Sequence, residues 1–387
     1  MSTKHAIVRF RICRIVRGSL CSVSLLGCST FADLQHRSAQ QHEPADANAC
    51  EHATLPIRSG VPVLNEPPGI ACDFVVATKR LTLGDVEDGG VPGYETLGFD
   101  LDGKCTGRGE GPSCIEPRWA TADHTDGVDG KDNAAGRIYY AQRQSDAGSA
   151  TVTANSTTES GFVTVVLRVR HYNCAKADDQ VEVAVFGAAL KASSSSPGPP
   201  KWDGNDEWLA YDAWLDDDDS GTAPDGGLTV ENAKYVDRRA YVNDGYLVAQ
   251  FDELLTGVGT PRRVQLSARI VSENGAFSLR DGTVGAREPA DDVLAFLQFT
   301  PDRQTGNYLC TNSPGYAAAK KNLCSYVDIA ANGTDDGSSP CDAISIGWTF
   351  DAEPAKLPGV APFSWSVISH PNCDSSISPA NDTCSNL

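Results

Sequence analysis

FVTVVLRVRHY, from Phe162 to Tyr172, decides the fold. Val163, Val165, Leu167, Val169 and His171 fall on one side of an extended chain, and Thr164, Arg168 and Arg170 on the other. That is a period of two, the mark of a half-buried β-strand. The next segment, Gln180 to Leu190, repeats it with Val181, Val183 and Val185 inward and Glu182 outward. Further on, Tyr235–Val242 and Tyr246–Phe251 flank Asn243-Asp244-Gly245, and Arg263–Ser272 and Ala276–Leu279 flank Glu273-Asn274-Gly275. Both read as hairpins, the second more strongly because Asn-Gly accepts positive φ. Late in the chain Ile344, Ile346, Trp348 and Phe350 alternate with Ser345, Gly347 and Thr349. Helical patterns are confined to Pro289–Gln298, which opens on proline and acids, and Tyr316–Ala330. The chain shows no internal repeat. The expectation is a mainly β protein: an antiparallel β-sandwich of jelly-roll or lectin-like type over residues 60–387, with a few short helices. The run SSSSPGPP marks a long loop or a subdivision near 192–200.

Of the 387 residues, 40% are hydrophobic, enough to bury a core. The net charge is −19, and the five basic residues of the first 27 stand without an acid, so the remainder carries −24 on the same count. Such a surface repels nucleic acid and anionic lipid. No apolar run of about 18 residues follows the first 27, so no membrane-spanning helix is expected there.

Residues 1–27 have the layout of an export signal, with a basic segment to Arg17 and a short apolar one from Ser19 to Gly27. Leu25-Leu26-Gly27-Cys28 resembles the lipobox of bacterial lipoproteins. The resemblance implies lipidation of Cys28, membrane attachment through acyl chains and, with Ser29 following, an outer-membrane address. Residues 28–59, rich in Gln, His, Ala, Glu and Ser, read as a flexible tether, with His36, His42 and His52 as solvated side chains.

Setting aside Cys13, Cys21 and Cys28 leaves ten cysteines. An even number in an exported chain points to as many as five disulfides. The absence of any CxxC argues against a zinc ribbon or a thioredoxin-like site. Proximity in sequence suggests Cys105 with Cys114, Cys310 with Cys324, and Cys373 with Cys384.

Common catalytic signatures are missing: there is no GxSxG, HExxH, Walker loop or GxGxxG. Chemistry is sought instead in three acidic runs. Asp100 and Asp102 share a strand end before Gly103, and Asp126, Asp129 and Asp132 recur with glycines between them. Such spacing can wrap a hard cation in oxygen ligands. These five aspartates are the candidate calcium ligands, weighed against solvated turns in which Asp and Gly are equally at home. The third run, Asp216-Asp217-Asp218-Asp219-Ser220-Gly221, starts like an EF-hand loop but has Gly227 at position 12, and reads as a solvated loop. Trp202, Trp208 and Trp214 stand beside Asp203, Asn205 and Asp212. They are candidates for stacking on a glycan, weighed against ordinary burial.

GFDLDG (Gly98–Gly103) with Cys105, Asp126-Gly127-Val128-Asp129, Asp132-Asn133-Ala134, Arg170-His171-Tyr172-Asn173, WDGND (Trp202–Asp206) and CDAIS (Cys341–Ser345) are together similar to a family of uncharacterised exported lipoproteins of large-genome soil Gram-negative bacteria. The resemblance implies an envelope address and no catalytic residues. Cys174 stands where that family's pattern has Gly. The functional expectation is an envelope-anchored binding module, for glycan or another envelope component, with calcium as a structural aid. The alternatives are a structural or adhesion lipoprotein, or a hydrolase with an acidic site.

If the lipobox reading holds, Cys28→Ser moves the protein from the membrane fraction to the soluble one, and a clickable fatty acid labels the wild type alone. A membrane-bound mutant beside an unlabelled wild type overturns it.

Overall fold

The computed structural model describes residues 50–58, 72–144, 148–191, 199–216, 228–256, 259–300, 302, 305–362 and 373–387. Residues 1–49, on which the expected leader, Cys28 and most of the expected tether fall, most of the Ser193–Pro200 segment and most of the third acidic run lie outside them.

In chain order the elements are β1 (Phe74–Thr82), β2 (Glu87–Asp88), β3 (Val91–Pro92), α1 (Ala134–Gln144), α2 (Ala150–Glu159), β4 (Thr164–Arg170), β5 (Asp178–Leu190), β6 (Glu207–Tyr211), β7 (Tyr235–Asn243), β8 (Tyr246–Glu253), β9 (Arg262–Glu273), β10 (Ala276–Pro289), α3 (Ala290–Phe296), α4 (Tyr316–Cys324), β11 (Ala343–Pro354) and β12 (Lys356–Ala361). The period-two segments all become strands, and the two hairpins turn where expected. Asp244 and Gly245 have φ of 48° and 81°, and Asn274 and Gly275 have φ of 53° and 82°.

The sandwich expectation is overturned. Sheet order runs β12-β6-β5-β4-β1-β11-β10-β9-β8-β7, and β7 returns to pair with β5. Eight antiparallel strands, β5-β4-β1-β11-β10-β9-β8-β7, therefore close a barrel. Closure happens along one edge of β5. Its first part, Asp178 to Val185, pairs with β7. Its last part, Ala188 to Leu190, pairs with β6, which carries β12 away from the barrel as a two-stranded flap. Alternating hydrophobicity is the same in a sandwich and a barrel, so only this long-range pairing separates them.

The flap corrects the reading of β4 and β5 as half-buried, because it covers their second face as well. Leu167, Val169, Val181, Val183 and Val185 belong to the main core with Leu247, Leu266, Leu279 and Ile344. The other face of the same strands buries Val166, Ala184, Phe186 and Ala188 against Trp208 and Ala210 of β6. Residues 48–387 form one compact unit, and the strands on either side of residues 192–200 pair with each other.

Two helices escaped the sequence reading. α1 contains Gly136 and adjacent Tyr139 and Tyr140, and α2 is rich in threonine, all poor helix formers. Tertiary contacts override propensity at both. Ser149 caps α2 by accepting from Val152 N, and Asn155 in α2 bonds both N and O of Leu81. Asn133 Oδ1 takes the Gly136 N–H at 2.9 Å at the start of α1.

All ten cysteines from Cys50 on are paired, but the local pairings are corrected. The bridges are Cys50–Cys105, Cys72–Cys174, Cys114–Cys341, Cys310–Cys373 and Cys324–Cys384, with sequence separations of 55, 102, 227, 63 and 60. Each joins segments that the fold brings together, and none joins near neighbours in sequence. A thiol assay on denatured, unreduced protein should find none free among these ten, and two or more reactive thiols would contradict the pairing.

Glu288 lies on the same face of β10 as Ala286, 2% exposed, against Gly259 and Asp292. Neither carboxyl oxygen makes a well-formed hydrogen bond among the described residues. Burial, reinforced by the charge of Asp292, pushes its pKa up to about 8, while the Thr260 backbone and Arg262 offset this in part. A carboxyl whose folded pKa exceeds its unfolded one carries no penalty at low pH. Stability falls as pH rises from the unfolded value towards the folded one. Glu288→Gln should therefore match the wild type near pH 4, gain on it by a few kcal/mol by pH 8, and lose that slope in melts run across pH. Equal slopes would refute the assignment.

Candidate metal centre

The acidic loops ride on the outside of the barrel over β10 and β11. Glycines at two facing positions make this approach feasible. A Cβ on Gly285 would collide with Phe99 and Leu101, and one on Gly347 with the backbone of Leu97 and Gly98. Phe99 and Leu101 bury in a small cluster with Ile329, Ala331 and Ala343. Arg287, outward-facing on β10 and 2% exposed, donates to Leu101 O at 2.6 Å, to Ala330 O at 2.7 Å and to both oxygens of Asp335 at 2.7 Å. The strand end expected for Asp100 and Asp102 is instead a bend over residues 101–103, in which Asp100 Oδ1 accepts from Gly103 N at 2.7 Å and Asp102 Oδ1 from Lys104 N at 2.8 Å.

They meet the Asp126–Asn133 loop. Asn133 fixes that loop to β11, accepting from Gly347 N at 3.0 Å and donating to Gly347 O at 2.9 Å. Asp132 N donates to Phe99 O at 2.9 Å, and Asp132 Oδ2 accepts from Leu101 N at 2.6 Å. The result is a trio, Asp100, Asp102 and Asp132, each of which offers one carboxylate oxygen within 4.8 Å of those of the other two. Disulfides pin both ends of the intervening loop, Cys105 to Cys50 and Cys114 to Cys341.

Two further carboxyls border the trio. Asp126 Oδ2 accepts from Thr106 N at 2.5 Å. Asp328 accepts from Ser345 N at 2.9 Å and Ser345 Oγ at 2.5 Å. Electrostatics tie the group together. Burial, then the charges of Asp100 and Asp328, lift Asp102 to about 6. Burial and the charge of Asp102 lift Asp126 to about 8. Asp132, wholly buried, is pushed well above the carboxylate range by burial and then by Asp102, Asp126 and Asp328. Burial also raises Asp328, against the bonds from Ser345. Among the described residues no ion pair reaches Asp102, Asp126, Asp132 or Asp328; only Asp100 has a partner, His52 Nδ1. Ser113 Oγ is buried beside Asp102 and lowers its pKa, yet has no well-formed hydrogen bond.

The structure thus brings together Asp100, Asp102 and Asp132 with Asp126 alongside. Asp129 stands outside the trio: it occupies a left-handed turn at φ 60°, and its carbonyl accepts from Ala53 N at 2.8 Å. His52, read as a solvated tether residue, instead contacts Asp100, because residues 50–58 run along the barrel and Cys50 is bridged to Cys105. Asp328 was missed. It sits just beyond α4, in a segment whose pattern reads as helix, and no local signal links it to residues two hundred positions away.

Two of the three tryptophans have no exposed face to offer a glycan. Trp208 is fully buried and Trp214, 6% exposed, covers Gly187. The strand ends at Tyr211 and a 3₁₀ turn over Asp212–Trp214 redirects the chain, which breaks the shared face that a continuous strand would give. Trp202, half-buried, packs against Trp208 with ring centroids 5.7 Å apart and planes tilted by 35°.

A hydrolytic carboxylate pair needs room for a substrate between its members. The depression bordered by Asp126, Asp328, His124 and Asn133 holds about 10 Å³, the space of one water or one ion. His124 there is held by Glu116 and by Ser325 O, at 3.0 and 3.1 Å.

Comparison with protein-family models, curated proteins and solved structures returns no match.

Proposed function

We propose that this chain is an exported, membrane-tethered β-barrel module that holds a calcium ion, and that it acts by binding rather than by catalysis. The observation that carries the reading is the convergence of the carboxylates of Asp100 and Asp132, both buried, and half-buried Asp102, flanked by Asp126 and Asp328, with His52 on Asp100 as the one ion-pair partner among the described residues. Repulsion among them is what a divalent cation relieves. The donors are hard oxygens, with Ser113 Oγ beside Asp102 as a further one, which suits calcium and not zinc. Cys28 supplies the anchor in this reading, and the negative surface keeps the module clear of nucleic acid and of the anionic membrane that holds it.

The test crosses two conditions. Millimolar calcium should raise the melting temperature by about 3–5 °C, the equivalent of about 2.7 kcal/mol at a hundredfold excess over Kd. Asp126→Asn removes one repelling charge, so at pH 8 it should raise the melting temperature in chelator. In calcium, Asp102→Asn with Asp132→Asn should abolish the gain. A melt indifferent to both calcium and chelator would return the cluster to a set of protonated, solvated-loop carboxyls.

A further inference from the structure

The outer face of β7, β8 and β9 carries a second, separate feature. A groove of about 520 Å³ is lined by Arg58, Arg239, Arg263, Tyr241, Gln250 and Gln265 together with two carboxylates, Asp237 and Asp252. Three guanidinium groups in one groove are unexpected in a chain of net charge −19.

Two of them are aimed by irregularities in the strands. β7 has an extra residue opposite β5, where Val181 pairs with Ala240 but Val183 with Asp237. Arg239 sits in that bulge. β9 has an extra residue opposite β10, where Gln265 pairs with Gly285 but Arg262 with Arg287. Arg263 sits there with φ 50°, a left-handed conformation that non-glycine residues seldom take. Bulges re-aim side chains and are enriched near sites. Between them lies Gln250 on β8.

The partners already present leave this charge available. Asp237 spends its carboxylate on backbone, accepting from Arg239 N and Gln250 N at 2.8 Å each. Arg58 lies over the Tyr241 ring at 4.8 Å and donates to Arg239 O. Arg263 donates to Asn332 O at 3.3 Å. Among the described residues the guanidinium of Arg239 has no ion pair and no hydrogen bond.

We propose that this groove binds a small polyhydroxylated carboxylate, the size of a uronic-acid disaccharide. Guanidinium forks match carboxylates in a bidentate way. The amides of Gln250 and Gln265 both donate and accept, as sugar hydroxyls require. The volume is in the range of small-ligand sites. A long polyanion is disfavoured, because beyond the groove it would meet the acidic surface.

The test is calorimetric titration of the full chain with digalacturonate, at fixed calcium and low salt. Lactose serves as the neutral control and a glutamate-rich peptide as the acidic one. The expected result is saturable digalacturonate binding, no heat with lactose, and at least tenfold weaker binding by Arg239→Gln and by Arg263→Gln, whose melting temperatures are checked against the wild type. Arg263→Gly, which relaxes the backbone while removing the charge, separates loss of charge from strain and should also fail to bind. No binding of digalacturonate, equal binding of lactose, preference for the acidic peptide, or undiminished binding by folded Arg239→Gln would overturn the proposal. Each arm is read at constant calcium, so the calcium reading can fail without touching this one.

Discussion

The return of β7 to β5 is the constraint on which the rest depends. It converts a sheet with two open edges into a barrel, and it occupies only the first part of one edge of β5. What remains of that edge takes β6 and, through it, β12. The flap in turn buries the outer side of β4 and β5, where an apolar face would otherwise meet water. A barrel also removes the exposed strand edges that invite association with other chains. The bulges in β7 and β9 place Arg239 and Arg263, and the closed wall gives β10 and β11 a fixed outer surface on which loops can rest.

On that surface the acidic loops are assembled by subtraction. Gly285 and Gly347 omit side chains, so Phe99, Leu101 and the backbone at Gly98 can lie flat against the barrel. Arg287 binds the carbonyls beneath them. With Phe99 and Leu101 buried, the bend that follows is closed by Asp100 and Asp102 accepting from Gly103 N and Lys104 N, which holds both carboxylates beside Asp132. Their mutual repulsion is thus imposed by the packing of their neighbours, and it is held in place by two disulfides from distant parts of the chain.

The strands were legible because their signal is local. Alternation in β4, β5, β10 and β11, and the Asn-Gly turn, need no knowledge of the rest of the chain. Barrel against sandwich was illegible for the same reason in reverse, since one pairing between residues about sixty apart decides it. α1 and α2 were hidden because their helicity is owed to Asn133, Ser149 and Asn155 bonding other elements. At the acidic site the spacing of Asp100, Asp102 and Asp132 carried information, while Asp328 and His52 did not announce themselves. Trp208 and Trp214 were readable only as a choice between burial and display; the flap packs Trp208 onto β4 and β5, and a 3₁₀ turn lays Trp214 over Gly187.

The bridge map has a consequence for how the chain reaches its final state. Closing a short loop costs less entropy than closing a long one, so in the unfolded chain Cys105 meets Cys114 far more often than either meets Cys50 or Cys341. The native bridge from Cys114 spans 227 residues and can form only when β10, β11 and the loops above them have come together. Oxidation that outruns folding therefore traps neighbours first, and each such bond must be broken again by thiolate exchange. The protein's yield in an oxidising compartment is accordingly governed by disulfide isomerisation rather than by the supply of oxidant.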